Sequence, residues 1–164
     1  MTDQSGLNAE ESADGEHQSS TLDELTHAEL GFLYQESTET VRFAKTQQWW
    51  TVGSTLLVFG ALVGIAKLVS ADKGYVDLLT VVIILLTMAV IFTLVVYQMW
   101  QHTEMMKIEN IAAYYSDLFR DVRKLKSRNE ANIQRYLLLA FMVFTVTIGA
   151  PTAYFGLQQL LLQG

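Results

Sequence analysis

His102, Met105 and Met106 stand close together, and imidazole and thioether donors four residues apart share a helix face from which a soft metal ion could be held. Such a site needs carboxylate or thiolate partners to complete its shell. None lies in that set, so an interfacial histidine beside core methionines is the better reading, and no cofactor is expected. The chain has no cysteine, which removes thiolate nucleophiles, disulfides and zinc-thiolate centres. No phosphate-cradling loop, nucleophile with its base, or paired carboxylate in an apolar setting is legible. An enzyme is therefore not expected. Thr80 and Thr87 share a face and could line a wet path in an oligomer, although threonine hydroxyls commonly bond back to their own helix.

The elements that would position these groups belong in lipid. Of 164 residues, 51% are apolar, too many for an ordinary soluble domain. Thr51 to Ala66 and Leu78 to Trp100 carry no charge, and neither does Tyr136 to Leu162, which contains Pro151, Gln158 and Gln159. At 1.5 Å per residue each run can cross, or nearly cross, a hydrocarbon core of about 30 Å. The expected fold class is an all-α integral membrane protein with three transmembrane helices and a cytoplasmic amphipathic helix between spans two and three. The competing architecture, a soluble bundle with apolar central helices, usually has shorter runs broken by polar positions. No span holds Asp, Glu, His or Arg in its middle, which argues against proton relays, ion-coupled transport and voltage sensing.

The expected organisation is an acidic disordered tail at 1–20, a cytoplasmic helix at 21–48 and span one at 49–70. Span two follows at 77–100, the amphipathic helix at 101–126, span three with its lead-in at 127–156, and an outer C-terminus at 157–164. Residues 1–20 hold one leucine, no aromatic residue and no Lys or Arg, so they can neither bury a core nor act as a signal peptide. Thr21-Leu22-Asp23-Glu24 and Ser127-Arg128-Asn129-Glu130 fit capping boxes, which predicts helix starts at both places. Asp72-Lys73-Gly74 predicts a tight turn that makes spans one and two a hairpin. Pro151 predicts a kink in span three.

Charge sets the expected orientation. Residues 1–48 hold ten acids against Arg42 and Lys45, whereas residues 101–135 hold five acids and seven bases. Basic residues near span ends mark the cytoplasmic side, so the N-terminus is expected in the cytoplasm and the C-terminus outside the inner membrane. Trp49, Trp50, Tyr97, Trp100 and Tyr136 fall at the inner ends of the runs, where amphipathic rings favour the headgroup level. Arg120, Arg123, Lys124, Lys126 and Arg128 would face anionic headgroups.

Ile108, Ile111, Tyr115, Leu118, Val122 and Leu125 recur at steps of three and four, which predicts one amphipathic helix with a docking stripe. Without a Gly or Pro to fold it, that helix is expected to lie flat or steeply tilted on the inner surface. Packing of the same stripe on the 22–48 helix is the equal alternative. Gly53, Gly60 and Gly64 on span one, with Gly149, Thr152 and Gly156 on span three, form small-residue faces suited to helix packing within the unit or between copies.

Leu33-Tyr34-Gln35-Glu36, Arg42-Phe43-Ala44-Lys45 and Gln48-Trp49-Trp50 lead into span one, followed by a tight hairpin and a long cytoplasmic helix. Over residues 30–126 this pattern resembles small bacterial multi-span membrane proteins of uncharacterised function and is similar to the SLATT and RipA helical-hairpin types. The resemblance implies oligomerisation and, for the SLATT type, a pore-forming effector role, although the third span departs from that pattern. It assigns no functional residue. The expected function is a non-enzymatic oligomeric scaffold or accessory subunit of a membrane complex, with lipid and protein but not nucleic acid as partners. The alternative is a homo-oligomeric channel or membrane-perturbing effector.

Overall fold

Every element in the computed structural model, which describes residues 22–69, 72–124 and 128–163, is a helix. The side chains at 117, 122–124, 128–132 and 163 lie outside that description, as does the acidic tail. The helices are α1 (Glu24–Leu68), α2 (Lys73–Ala112), α3 (Asp117–Lys124) and α4 (Arg128–Gln163). α1, α2 and α4 are each long and apolar enough to cross a membrane by length and composition. The chain is thus an all-helical, multi-pass membrane protein on those grounds.

Local chemistry explains the boundaries. Asp23, rather than Thr21, caps α1: its carboxylate accepts from the Thr26 N–H at 3.2 Å, and Thr21 lies outside the described residues. Hydrogen bonding from the Thr26 side chain, and then from its N–H, holds the Asp23 carboxyl below its usual range. Asp72 caps α2 by accepting from the Tyr75 N–H at 2.9 Å, so Lys73 and Gly74 belong to the helix instead of the turn. α4 continues through Pro151 to Gln163, and Leu157 is fully buried, so the third apolar helix does not stop at residue 156.

α1 and α2 run antiparallel for far more than a bilayer. With 45 and 40 residues, they extend about 68 and 60 Å, some twice the hydrocarbon thickness. Val52, Phe59 and Ala66 of α1 pack with Leu79, Ile83 and Leu94 of α2, and α4 closes the third side with Met142, Val146 and Leu157. Gly149 and Gly156 let α4 approach. A Cβ at Gly149 would stand 2.8 Å from Leu56 Cδ2 and 3.2 Å from Phe59 Cδ2, and one at Gly156 would stand 3.3 Å from Val63 Cγ1.

The single helix expected over 101–126 is interrupted in the structure at 113–116. Residues 101–112 are the straight continuation of α2, the chain turns at 113–116, and α3 is a separate helix of 8 residues. A flat arrangement would have required α2 to bend at the membrane surface. Instead Ile108, Ile111 and Ala112 are buried, so the stripe continues the α2 core along α1. The reversal needs neither Gly nor Pro: Ala113, Tyr114 and Tyr115 donate their N–H groups to Asn110, Ile111 and Ala112, tightening the helix end into short-range turns.

Because a residue larger than alanine at position 149 must displace buried Phe59, Gly149→Leu is expected to destabilise the α1–α4 contact by about 1–3 kcal/mol. Gly149→Ala should be milder, since half-exposed Leu56 can move aside. Thermal unfolding in mild detergent checks the order of the two variants.

Candidate functional site: a polar seam and an extramembrane stalk

Gln48, Gln98, Gln101, Glu104 and Ser37 are all buried between α1 and α2, immediately past the apolar core. Their placement follows from periodicity, because Leu94, Gln98, Gln101, Glu104, Ile108 and Ile111 are the inward positions of α2 at steps of three and four. Gln48 Nε2 donates to the Leu94 carbonyl at 3.3 Å, and Gln101 Nε2 donates to Gln48 Oε1 at 2.8 Å. Gln101 is 2% exposed, so this bond is shielded from water and fixes which turn of α1 faces which turn of α2.

One turn further, Lys107 Nζ lies 2.7 Å from Glu104 Oε1. Lys107 is the largest cause holding the Glu104 carboxyl below its usual range; burial opposes it, and hydrogen bonds from Ser37 and Trp100 add to it. Next comes an aromatic cluster. His27 meets Tyr115 edge-on at 4.9 Å between ring centroids, Tyr115 meets Phe119 at 4.9 Å, and Tyr34 meets Phe119 at 5.7 Å. Gly31 makes room, since a Cβ there would stand 3.4 Å from Tyr115 Oη. Burial raises the Tyr115 phenol above its usual range, and nearby Tyr34 adds to the effect. Phe119 meets Tyr34, two helical turns nearer the span than His27. The chain has therefore reversed, and α3 leads back toward the third apolar helix.

The docking stripe is divided by this geometry. Ile108 and Ile111 are buried and Tyr115 is half-buried against α1, whereas Leu118 is exposed. The side chain of Val122 and all of Leu125 lie outside the described residues. The belt residues Trp49, Trp50, Trp100 and Tyr136 are exposed and Tyr97 is half-buried; Trp100 stacks with Tyr97 at 6.4 Å and meets Phe43 at 6.5 Å. Arg120 is exposed, the side chains of Arg123, Lys124 and Arg128 are outside the description, and Lys126 is among the residues not described. The small-residue faces also separate. Gly149 and Gly156 touch α1, while among the described residues no atom lies within 4 Å of where a Cβ would stand at Gly53, Gly60 or Gly64, and Thr152 is exposed.

The groups weighed for chemistry do not converge. His102 and Met106 are exposed, Met105 is half-buried, and no group of three His, Cys, Asp or Glu side chains able to hold a metal ion occurs among the described residues. Thr80 and Thr87 donate to the carbonyls of Val76 and Ile83 at 2.9 and 2.7 Å. Sequence reasoning missed the polar seam. Its signal was present, because the stripe of Ile108 and Ile111 extends backward in register through Glu104, Gln101 and Gln98.

Removing one partner leaves a buried amide unsatisfied, so Gln101→Leu is expected to cost about 1–3 kcal/mol, with Gln48→Leu/Gln101→Leu costing less than the two single changes summed. Unfolding of the four proteins in detergent checks the non-additivity. Glu104 has a lowered pKa when folded, so its contribution is present at neutral pH and lost as pH falls through that lowered value. On acidification below the ordinary glutamate range, wild-type protein should lose more stability than Glu104→Gln.

Comparison of the chain with protein-family models, with curated proteins and with solved structures finds no match.

Proposed function

We propose that this chain is a non-enzymatic protein of the bacterial inner membrane that works as an oligomeric scaffold or as an accessory subunit of a membrane complex. Its N-terminus and the stalk, formed by α1 before Gln48, α2 after Gln101 and α3, lie in the cytoplasm and its C-terminus outside. The single observation that carries this reading is the division of the glycines. Gly149 and Gly156 are consumed in packing α4 on α1, whereas Gly53, Gly60 and Gly64 present a smooth face on α1 with open space before it. In lipid, where no hydrophobic drive joins helices, such a face permits the close backbone approach on which association depends.

The amphipathic segment completes the reading. Its inner half packs on α1, and its outer part, with Leu118 exposed and five bases from Arg120 to Arg128, is the docking surface. The channel alternative gains no support from Thr80 and Thr87, whose hydroxyls are donated to their own helix.

Gly60→Ile with Gly64→Ile should lower the native particle mass in mild detergent toward that of one 18.5 kDa chain, without altering helix content. An unchanged particle would reject this face as the contact.

A further inference from the structure

The stalk portion of α1 has a face that the other described residues leave exposed. Leu25 and Phe32 are each 69% exposed, and a shallow, open apolar hollow is lined by Ala28, Glu29, Phe32 and Leu33. At about 100° per residue, Leu25 and Phe32 fall on one side of α1 together with Glu29, Glu36 and Glu39, all exposed. Tyr34, Ser37, Val41, Ala44 and Gln48, which face α2 and α3, are centred about 140° away round the helix. The stripe is therefore apolar and acidic, and it points away from the rest of the molecule.

Its occupant must carry apolar groups and positive charge. Residues 1–20 contain five acids and no Lys or Arg, so they are repelled. Anionic headgroups are repelled too, and they are remote: Phe32, midway along the stripe, lies 17 residues before Trp49, or about 26 Å from the aromatic belt, well beyond the roughly 8 Å screening length at physiological salt. The segment with the right chemistry is the chain's own 117–128. Arg120, Arg123, Lys124, Lys126 and Arg128 outnumber Asp117 and Asp121 by three, and Leu118 is exposed. Within one molecule α3 approaches another side of α1, where Phe119 meets Tyr34.

We infer that the acidic stripe of α1 receives the α3 segment of a second copy, so that neighbouring stalks join through two different surfaces. This deepens the oligomeric reading proposed above and rests on it. The open glycine face of α1 is centred about 80° round the helix from this stripe, so the two contacts are separate surfaces. An interface between unlike surfaces closes into a ring when the rotation permits.

The chain lacks cysteine, which makes cross-linking clean. Full-length Phe32→Cys and Leu118→Cys proteins, differently tagged and mixed at about 0.1 M salt, should give a heterodimeric cross-link that fades at about 1 M, where screening shortens to about 3 Å. Glu29→Lys with Glu36→Lys and Glu39→Lys should abolish it, as should Arg120→Glu with Arg123→Glu and Lys124→Glu, and mixing the two triple variants should restore it. Absence of the cross-link, indifference to salt, failure of the mixed pair to rescue, or an intramolecular Phe32–Leu118 cross-link in a double-cysteine chain would each overturn the inference. If the particle stays oligomeric in those cases, the scaffold reading stands without this interface; a monomeric wild-type particle would remove both.

Discussion

The hydrogen bond between Gln101 and Gln48, buried where the apolar core ends, sets the register on which the rest of the molecule depends. Above it, α1 and α2 interlock through aliphatic side chains whose packing alone would tolerate sliding by a turn. Below it, the helices must still face each other correctly over several more turns with few large apolar residues. A shielded amide pair has one good partner and a penalty for every alternative, so it fixes alignment even where its net contribution to stability is modest. Ser37 with Glu104, and then His27, Tyr34, Tyr115 and Phe119, fall into place as consequences of that alignment.

The spans were legible because lipid imposes a coarse rule, namely long uncharged runs of helical length, and Thr51 to Ala66 and Leu78 to Trp100 obey it. The stripe of Ile108, Ile111 and Tyr115 was legible for a similar reason. What covers that stripe was not. Periodicity is indifferent to whether an apolar face meets headgroups or a neighbouring helix, and the deciding residues, Gln98, Gln101 and Glu104, read as polar termini when taken singly. The end of α2 at Ala112 was equally hidden. No glycine or proline marks it, and at the turn Tyr115 and Phe119 reach aromatic partners 88 and 85 residues earlier in the chain.

The glycines show the same division between pattern and use. Gly60 and Gly64 form the more recognisable motif, yet Gly149, in a less regular setting, is the one pressed against Leu56 and Phe59. Small residues license close approach without specifying the partner. Which face is used inside the bundle follows from where the inward residues Phe59, Val146 and Leu157 direct the helices.

The placement of the turn at 113–116 bears on how such a chain is made. Everything α2 needs in order to pair with α1 has been synthesised before α4 begins, and the two are joined by only a few residues at Val69 to Asp72. The hairpin can therefore assemble as a local unit while the ribosome is still translating, and α4 arrives later onto a surface already shaped to receive it. Assembly then proceeds from near neighbours to distant ones, a sequence that keeps partly made chains from exposing the wrong helix for long.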